Sequence, residues 1–123
     1  MADWEIEYTD EFGDWWDTLT EREQNAISMS VDLLASKGPQ LERPHVDTLN
    51  GSQFGNMKEL RTRLGPNHFR TFFAFDPRRC AILLIAGNKT GDDRFYETMI
   101  PIADRLYEQH LEEIEEEKND RKK

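Results

Sequence analysis

MKELRTRLGPNHFRTFFAFDPRRCAILLIAGN, residues 57–88, holds three strand-forming runs separated by two turn signals. In 57–64, Met57, Glu59, Arg61 and Arg63 alternate with Lys58, Leu60, Thr62 and Leu64. Successive strand side chains point to opposite faces, so Glu59, Arg61 and Arg63 project together while Leu60 and Leu64 face a core. Gly65-Pro66-Asn67 turns the chain, and 68–75 follows as a more apolar strand with Arg70 on the side of Phe72 and Ala74. Asp76-Pro77-Arg78-Arg79 turns it again, proline suiting the second position of a type I turn. The run 80–88 is apolar on both sides, as an interior strand would be. Strands consecutive in sequence usually pair, so the three are expected to form an antiparallel meander.

Outward from this core the periodicity changes. Residues 4–8, WEIEY, alternate apolar and acidic side chains and predict a half-buried first strand. Thr9 or Asp10 can cap a short helix carrying Phe12, Trp15, Trp16 and Leu19 on one face. At helical spacing the paired tryptophans read as core and not as a ligand platform. Thr20 and Glu23 form a capping box for a second helix with Ala26, Ile27, Val31, Leu33 and Leu34, which stops at Lys37-Gly38-Pro39. A loop through Arg43-Pro44-His45 leads to the strands. Residues 89–96 form a polar loop, and a final helix runs from Pro101 to about Glu117. The fold class is α+β: two N-terminal helices packed on a small, mostly antiparallel twisted sheet, with a C-terminal helix. One domain is expected over residues 1–111, with a charged, frayed or disordered tail over 112–123.

Charge decides what the chain can bind. Its 123 residues carry 16 Lys plus Arg against 25 Asp plus Glu, a net charge of -9. Taken whole, that opposes a nucleic-acid partner, because phosphate is contacted through Lys and Arg. Net charge is a sum, however, and its distribution matters more. Residues 1–47 hold 12 acids and 3 bases, 48–107 hold 6 acids and 9 bases, and 108–123 hold 7 acids and 4 bases. The positive charge therefore lies on the strands, and the helices and tail are acidic. A single cysteine, Cys80, excludes an intrachain disulfide and a multi-thiolate zinc site. No apolar run approaches the roughly 20 residues of a membrane span, and the acidic start is unlike a signal peptide. A cytoplasmic location is expected.

The strand order gathers Glu59, Arg61, Arg63, Arg70 and the Lys89–Tyr96 loop onto neighbouring strands, with His68 nearby. Such an inventory suits cleavage of an RNA backbone. A base removes the 2'-hydroxyl proton, cations stabilise the charged phosphorane-like state, and an acid protonates the leaving oxygen. Arginine fits because its planar fork can grip two phosphate oxygens. Dinucleotide, P-loop and zincin motifs do not occur in the sequence. His45, His68 and His110 lack metal-ligand spacing, and Cys80 opens an apolar strand as a small buried side chain. No cofactor and no metal is expected.

LNGS followed by KELR, the strand arginine in HFRTFF, and the hydrophobic strand ending in Gly-x-Lys together resemble the HigB-like branch of the RelE/ParE toxin superfamily, over about residues 4–111. The resemblance implies a microbial-ribonuclease-like toxin of a type II toxin-antitoxin pair. Such a toxin cleaves mRNA on the ribosome without a metal and is neutralised by a HigA-like helix-turn-helix antitoxin, through which alone it meets DNA. Carried onto this chain, Arg70 matches the strand residue that stabilises the cleaved phosphate. Arg61, Arg63 and Lys58 match the basic positions of the preceding strand, Lys89 the basic residue after the central strand, and Tyr96 a tyrosine near the last helix. Glu59 as base and Tyr96 or Lys89 as acid complete the expected catalytic set, with Lys58, Arg61, Arg63, Arg94 and His68 binding phosphate. Asp92 and Asp93, next to this set, depart from the family's basic pattern. Two alternatives share the fold: a ParE-like gyrase inhibitor, and an inactive relic that acts only as an antitoxin partner or co-repressor.

Overall fold

The strand Asn67–Phe75 lies in the middle of a five-stranded sheet, and its two buried faces account for the density of phenylalanine there. In the computed structural model, which describes residues 3–121, the elements are β1 (Ile6–Tyr8), α1 (Asp10–Asp17), α2 (Glu21–Lys37), a 3-10 turn (Gly38–Gln40), β2 (Val46–Thr48), β3 (Lys58–Leu64), β4 (Asn67–Phe75), β5 (Ala81–Asn88) and α3 (Phe95–Arg121). The sheet order is β1-β5-β4-β3-β2. All neighbours are antiparallel except β1, which lies parallel to β5 with Ile6 opposite Ala81. Among the described residues, no helix is long and apolar enough to cross a membrane.

Each face of the sheet has its own core. Phe12, Leu34, Val46, Leu60, Phe73 and Leu83 pack beneath α1 and α2. Met57, Phe72, Ala74, Leu84, Phe95 and Leu106 pack beneath α3. Phe69, Phe72 and Phe73 are essentially inaccessible, and burial of each such side chain stabilises by about 1.5–3 kcal/mol. The register of β4 against β5 shifts between Phe72 and Phe73, so that Leu84 is passed over and both it and Ile85 pack on the α3 side. Trp15 and Trp16 belong to the first core, Trp15 meeting Phe69 edge-on at 6.1 Å.

The helix ends follow the sequence signals. Thr9 accepts from the Phe12 N–H at 3.0 Å and donates to the Leu84 carbonyl at 2.6 Å, fixing the start of α1 to β5. Thr20 and Glu23 form the expected reciprocal box. Gly38 closes α2 at φ 57°, and a Cβ there would meet the Trp4 indole at 2.3 Å. Glycine is needed on both counts.

Three boundaries differ from the sequence expectation. β2 forms within the expected loop because Val46 is buried and pairs with Leu60. α3 starts at Phe95 and passes through Pro101, which is exposed where its missing N–H leaves a carbonyl to solvent. α3 also passes residue 112 without a break, with Ile114 buried against the body and the following residues exposed through Asp120. Lys122 and Lys123 of the expected tail lie outside the described residues.

Two buried acids fasten α3. Asp104 accepts from the Ser52 hydroxyl and the Gln53 N–H, so the LNGS segment is an anchor for the helix. Asp76, in the β4–β5 turn, accepts from Arg78 at 2.7 Å and contacts His110 of α3 at 2.8 Å. Burial alone would raise the Asp76 carboxyl, but bonds from Arg78, His110 and the Cys80 N–H outweigh it and hold the group below the usual carboxylate range. A depressed folded value means stabilisation that is present above about pH 4 and lost as pH falls through the lowered folded value. Asp76→Asn is therefore expected to cost about 2 kcal/mol at pH 7 in denaturant melts, the gap to the parent narrowing as pH falls below about 4.

Candidate functional site

α3 covers one half of its sheet face, and the other half runs from the buried Arg70 to the half-buried His68 and the exposed Arg63 at its far end. Gly87 sets this boundary. It lies opposite Arg70, and a Cβ there would stand 2.9 Å from the Phe95 ring, so the missing side chain seats the first turn of α3 on the sheet. Asp92 begins that turn by accepting from the Arg94 N–H at 3.0 Å, which gives the departing acid a structural role. Seated in this way, Tyr96 stacks on Phe72 with ring centroids 6.0 Å apart and points its hydroxyl at β3.

Glu59 is the centre of the resulting cluster. Its Oε1 accepts from the Tyr96 hydroxyl at 2.7 Å, and its Oε2 accepts from Arg61 Nε at 2.9 Å. Arg70 Nε stands 3.8 Å from the same Oε2. Alternation on β3 puts Glu59 and Arg61 on one face, and antiparallel pairing puts Arg61 opposite Arg70. Glu59 is 3% exposed and Arg70 8%, so the pair is shielded from water and strongly coupled. Arg70 is nevertheless not fully satisfied. It donates through an Nη to the Phe69 carbonyl, while its buried Nε has no hydrogen-bond partner among the described residues. Such an orphan donor in a folded interior is uncommon. Lys89 completes the edge, its ammonium 5.7 Å from the centroid of the Tyr96 ring. Burial, and then the neighbouring Glu59 carboxylate, push the Tyr96 phenol above its ordinary value, so it is neutral throughout the physiological range.

The structure thus brings together Glu59, Arg61, Arg70, Lys89 and Tyr96. His68 and Arg63 pair across β3 and β4 at the open end of the same face. Arg63 is exposed there, donating to the Gly65 carbonyl at 3.3 Å. Lys58 and Arg94 stand apart. Lys58 occupies the α2 side of β3 and reaches Thr48 at 3.5 Å, and Arg94 is 84% exposed beside Glu97. Burial pushes the Cys80 thiol up to about 11, which leaves it protonated and unsuited to nucleophilic attack.

Sequence reasoning missed two members. Asp47 on β2 contacts Arg61 at 3.3 Å and Arg43 at 3.0 Å, and the bond from Arg43 holds its carboxyl below the usual range. The spacing of four between Arg43 and Asp47 was the available signal, but it mattered only once β2 was known to pair beside Glu59.

Comparison with known proteins places this geometry. Residues 14–108 match the family described as phage derived protein Gp49-like (DUF891). The chain is 45% identical over 98 residues to a Mycobacterium tuberculosis protein named toxin HigB3, covering 79% of this chain and 84% of that protein. It is 40% identical over 111 residues to the protein of the same organism named toxin HigB2, covering 89% of this chain and 55% of the relative. Among solved structures, the isolated E. coli RelE toxin aligns with a TM-score of 0.57 at 11% identity, covering 80% of this chain and 98% of that one. A chain of the archaeal RelE-RelB complex from Pyrococcus horikoshii aligns at 0.54 and 14%, covering 72% of this chain and 98% of that one. At those identities the structural likeness speaks for the fold, while the sequence matches speak for the family. The chain belongs to the phage-derived Gp49-like family, together with its HigB-like relatives.

Proposed function

We propose that the chain is the toxin of a toxin-antitoxin pair and acts in the cytoplasm as an endoribonuclease on mRNA held by the ribosome. The observation that carries this reading is the buried, incompletely satisfied Arg70 beside the Glu59–Tyr96 hydrogen bond on an open sheet face. Arg70 and Arg61 bind the scissile phosphate and neutralise the charge that develops on it. The 2'-oxygen attacks phosphorus and the bond to the 5'-oxygen breaks, leaving a 2',3'-cyclic phosphate and a free 5'-hydroxyl. Glu59 receives the 2'-hydroxyl proton through the Tyr96 oxygen, which passes its own proton on along the 2.7 Å bond. The Lys89 ammonium gives the leaving oxygen its proton, and no metal enters these steps. A HigA-like antitoxin neutralises the activity.

The net charge of -9 supports dependence on the ribosome, since an acidic particle gains no long-range steering toward RNA. Inducible expression followed by mapping of mRNA 5' ends, with translation running or blocked, tests the reading. Codon-aligned cuts confined to translated messages are expected. Intact mRNA with induction of a DNA-damage response points instead to gyrase and overturns the proposal.

A further inference from the structure

The open half of the sheet face continues into a second concavity that wraps around the edge of β3. β2 pairs with β3 only as far as Leu60, so the next part of that edge borders Pro44, His45 and α2 with no neighbouring strand. A groove of about 580 Å³ runs there. Its titratable lining residues are Arg61, Arg63, Arg70, His45 and His68, and no carboxylate lines it. Arg61 and Arg70 have Glu59 and Asp47 behind them, but the groove surface itself presents no carboxylate and Arg63 has no carboxylate partner among the described residues, so that surface suits an anion. Its other wall is apolar. Met29 of α2 is 74% exposed and, with Tyr8, one of two large apolar side chains left so exposed among the described residues. Between the walls, Thr62 and Ser30 are turned to each other at 2.8 Å, which reduces the polar demand of the floor.

We propose that this groove binds the nucleotides flanking the cleaved bond, single-stranded RNA lying with its phosphates on Arg61 and Arg63 and a base against Met29, Pro44 and His45. The inference rests on the nuclease reading above and extends it to how the substrate is held. A single-stranded nucleotide offers an anionic edge and a flat, weakly polar face, and the groove presents cations on one side and an apolar and imidazole surface on the other. Continuity through Arg61 and Arg70 joins it to the proposed cleavage site, so one strand can occupy both. A basic or purely apolar peptide would gain nothing from the arginine wall.

Two substitutions at the exposed Met29 test this without disturbing the core. Met29→Glu is expected to lower kcat/KM on ribosome-bound mRNA about tenfold, and Met29→Lys, which loses the same apolar contact but adds a cation, to lower it only about twofold. In parallel, ribosomes programmed with mRNA bearing 4-thiouridine around the A-site codon, and 2'-O-methyl groups to prevent cutting, are irradiated with the parent chain. Cross-links to residues 26–30 or 44–45 support the groove. Cross-links confined to residues 89–96, with Met29→Glu as active as the parent, overturn the groove and leave the nuclease reading standing. Equal loss in the Glu and Lys variants indicates docking of a protein surface and overturns the RNA assignment. A parent chain that neither cuts nor cross-links mRNA overturns the nuclease reading itself.

Discussion

Arg70→Ala is expected to reduce mRNA cleavage by about 100- to 1,000-fold while the protein stays folded. The rate effect follows from the position of the guanidinium at the inner end of the groove, where one preorganised donor to a developing oxyanion contributes about 3–4 kcal/mol. The mild effect on folding follows from what the arginine leaves behind. Glu59 still accepts from Tyr96 and from Arg61, so no buried charge loses all its partners. A fall in melting temperature of a few degrees is expected from the lost packing of the side-chain stem. Quantifying cleaved and intact message by primer extension, with circular dichroism on the same preparations, separates the two effects. Undiminished cleavage by the variant would remove Arg70 from the mechanism.

Removing the other half of the pair should do the opposite. Glu59→Ala strands Arg70, whose side chain is 9% exposed, without its carboxylate, and also deprives the Tyr96 hydroxyl and Arg61 Nε of their acceptor. A buried charge that loses its partner costs about 3–5 kcal/mol, a large fraction of the stability of a domain this size. Glu59→Gln keeps the shape and one acceptor oxygen for Tyr96 and loses the charge, so it should fall between alanine and the parent. Urea titration of the three proteins gives the order directly. An alanine variant as stable as the parent would mean that Glu59 and Arg70 are not coupled in the folded state. Glu59→Ala/Arg70→Ala should then recover part of the loss, because the stranded cation is gone with its partner.

Much of this arrangement was legible before the structure. The alternation in 57–64 put Glu59 and Arg61 on one face, and the hairpin turns at 65–67 and 76–79 put Arg70 beside them. Those are local rules, period two and turn chemistry, that need no knowledge of the rest of the molecule. The burial of Glu59 was not legible. A strand of alternating charge and leucine reads as half-exposed, and only the seating of Tyr96 by Gly87 and Phe95, some 30 residues later, encloses the carboxylate. β2 was missed for a related reason, since three residues carry too little pattern and Val46–Thr48 becomes a strand only against Leu60–Lys58. The start of α3 was placed late because proline usually marks a helix boundary, whereas here the helix begins at Phe95 and carries Pro101 on its exposed side.

The parallel pairing of β1 with β5 bears on when during synthesis the molecule can exist. During synthesis Ile6 precedes its partner Ala81 by 75 residues. Until then β1 has no strand to join, and the first core lacks the side of the sheet on which Phe12 rests. Lys89 and Tyr96 emerge later still, and Asp104, which fixes the helix carrying Tyr96, after both. A nascent chain interrupted before Tyr96 therefore holds Glu59 and Arg70 without the partners that enclose them. The fold itself delays assembly of the cluster until the helix that carries Tyr96 and Asp104 has been made, so synthesis order alone keeps Glu59 and Arg70 from being enclosed early.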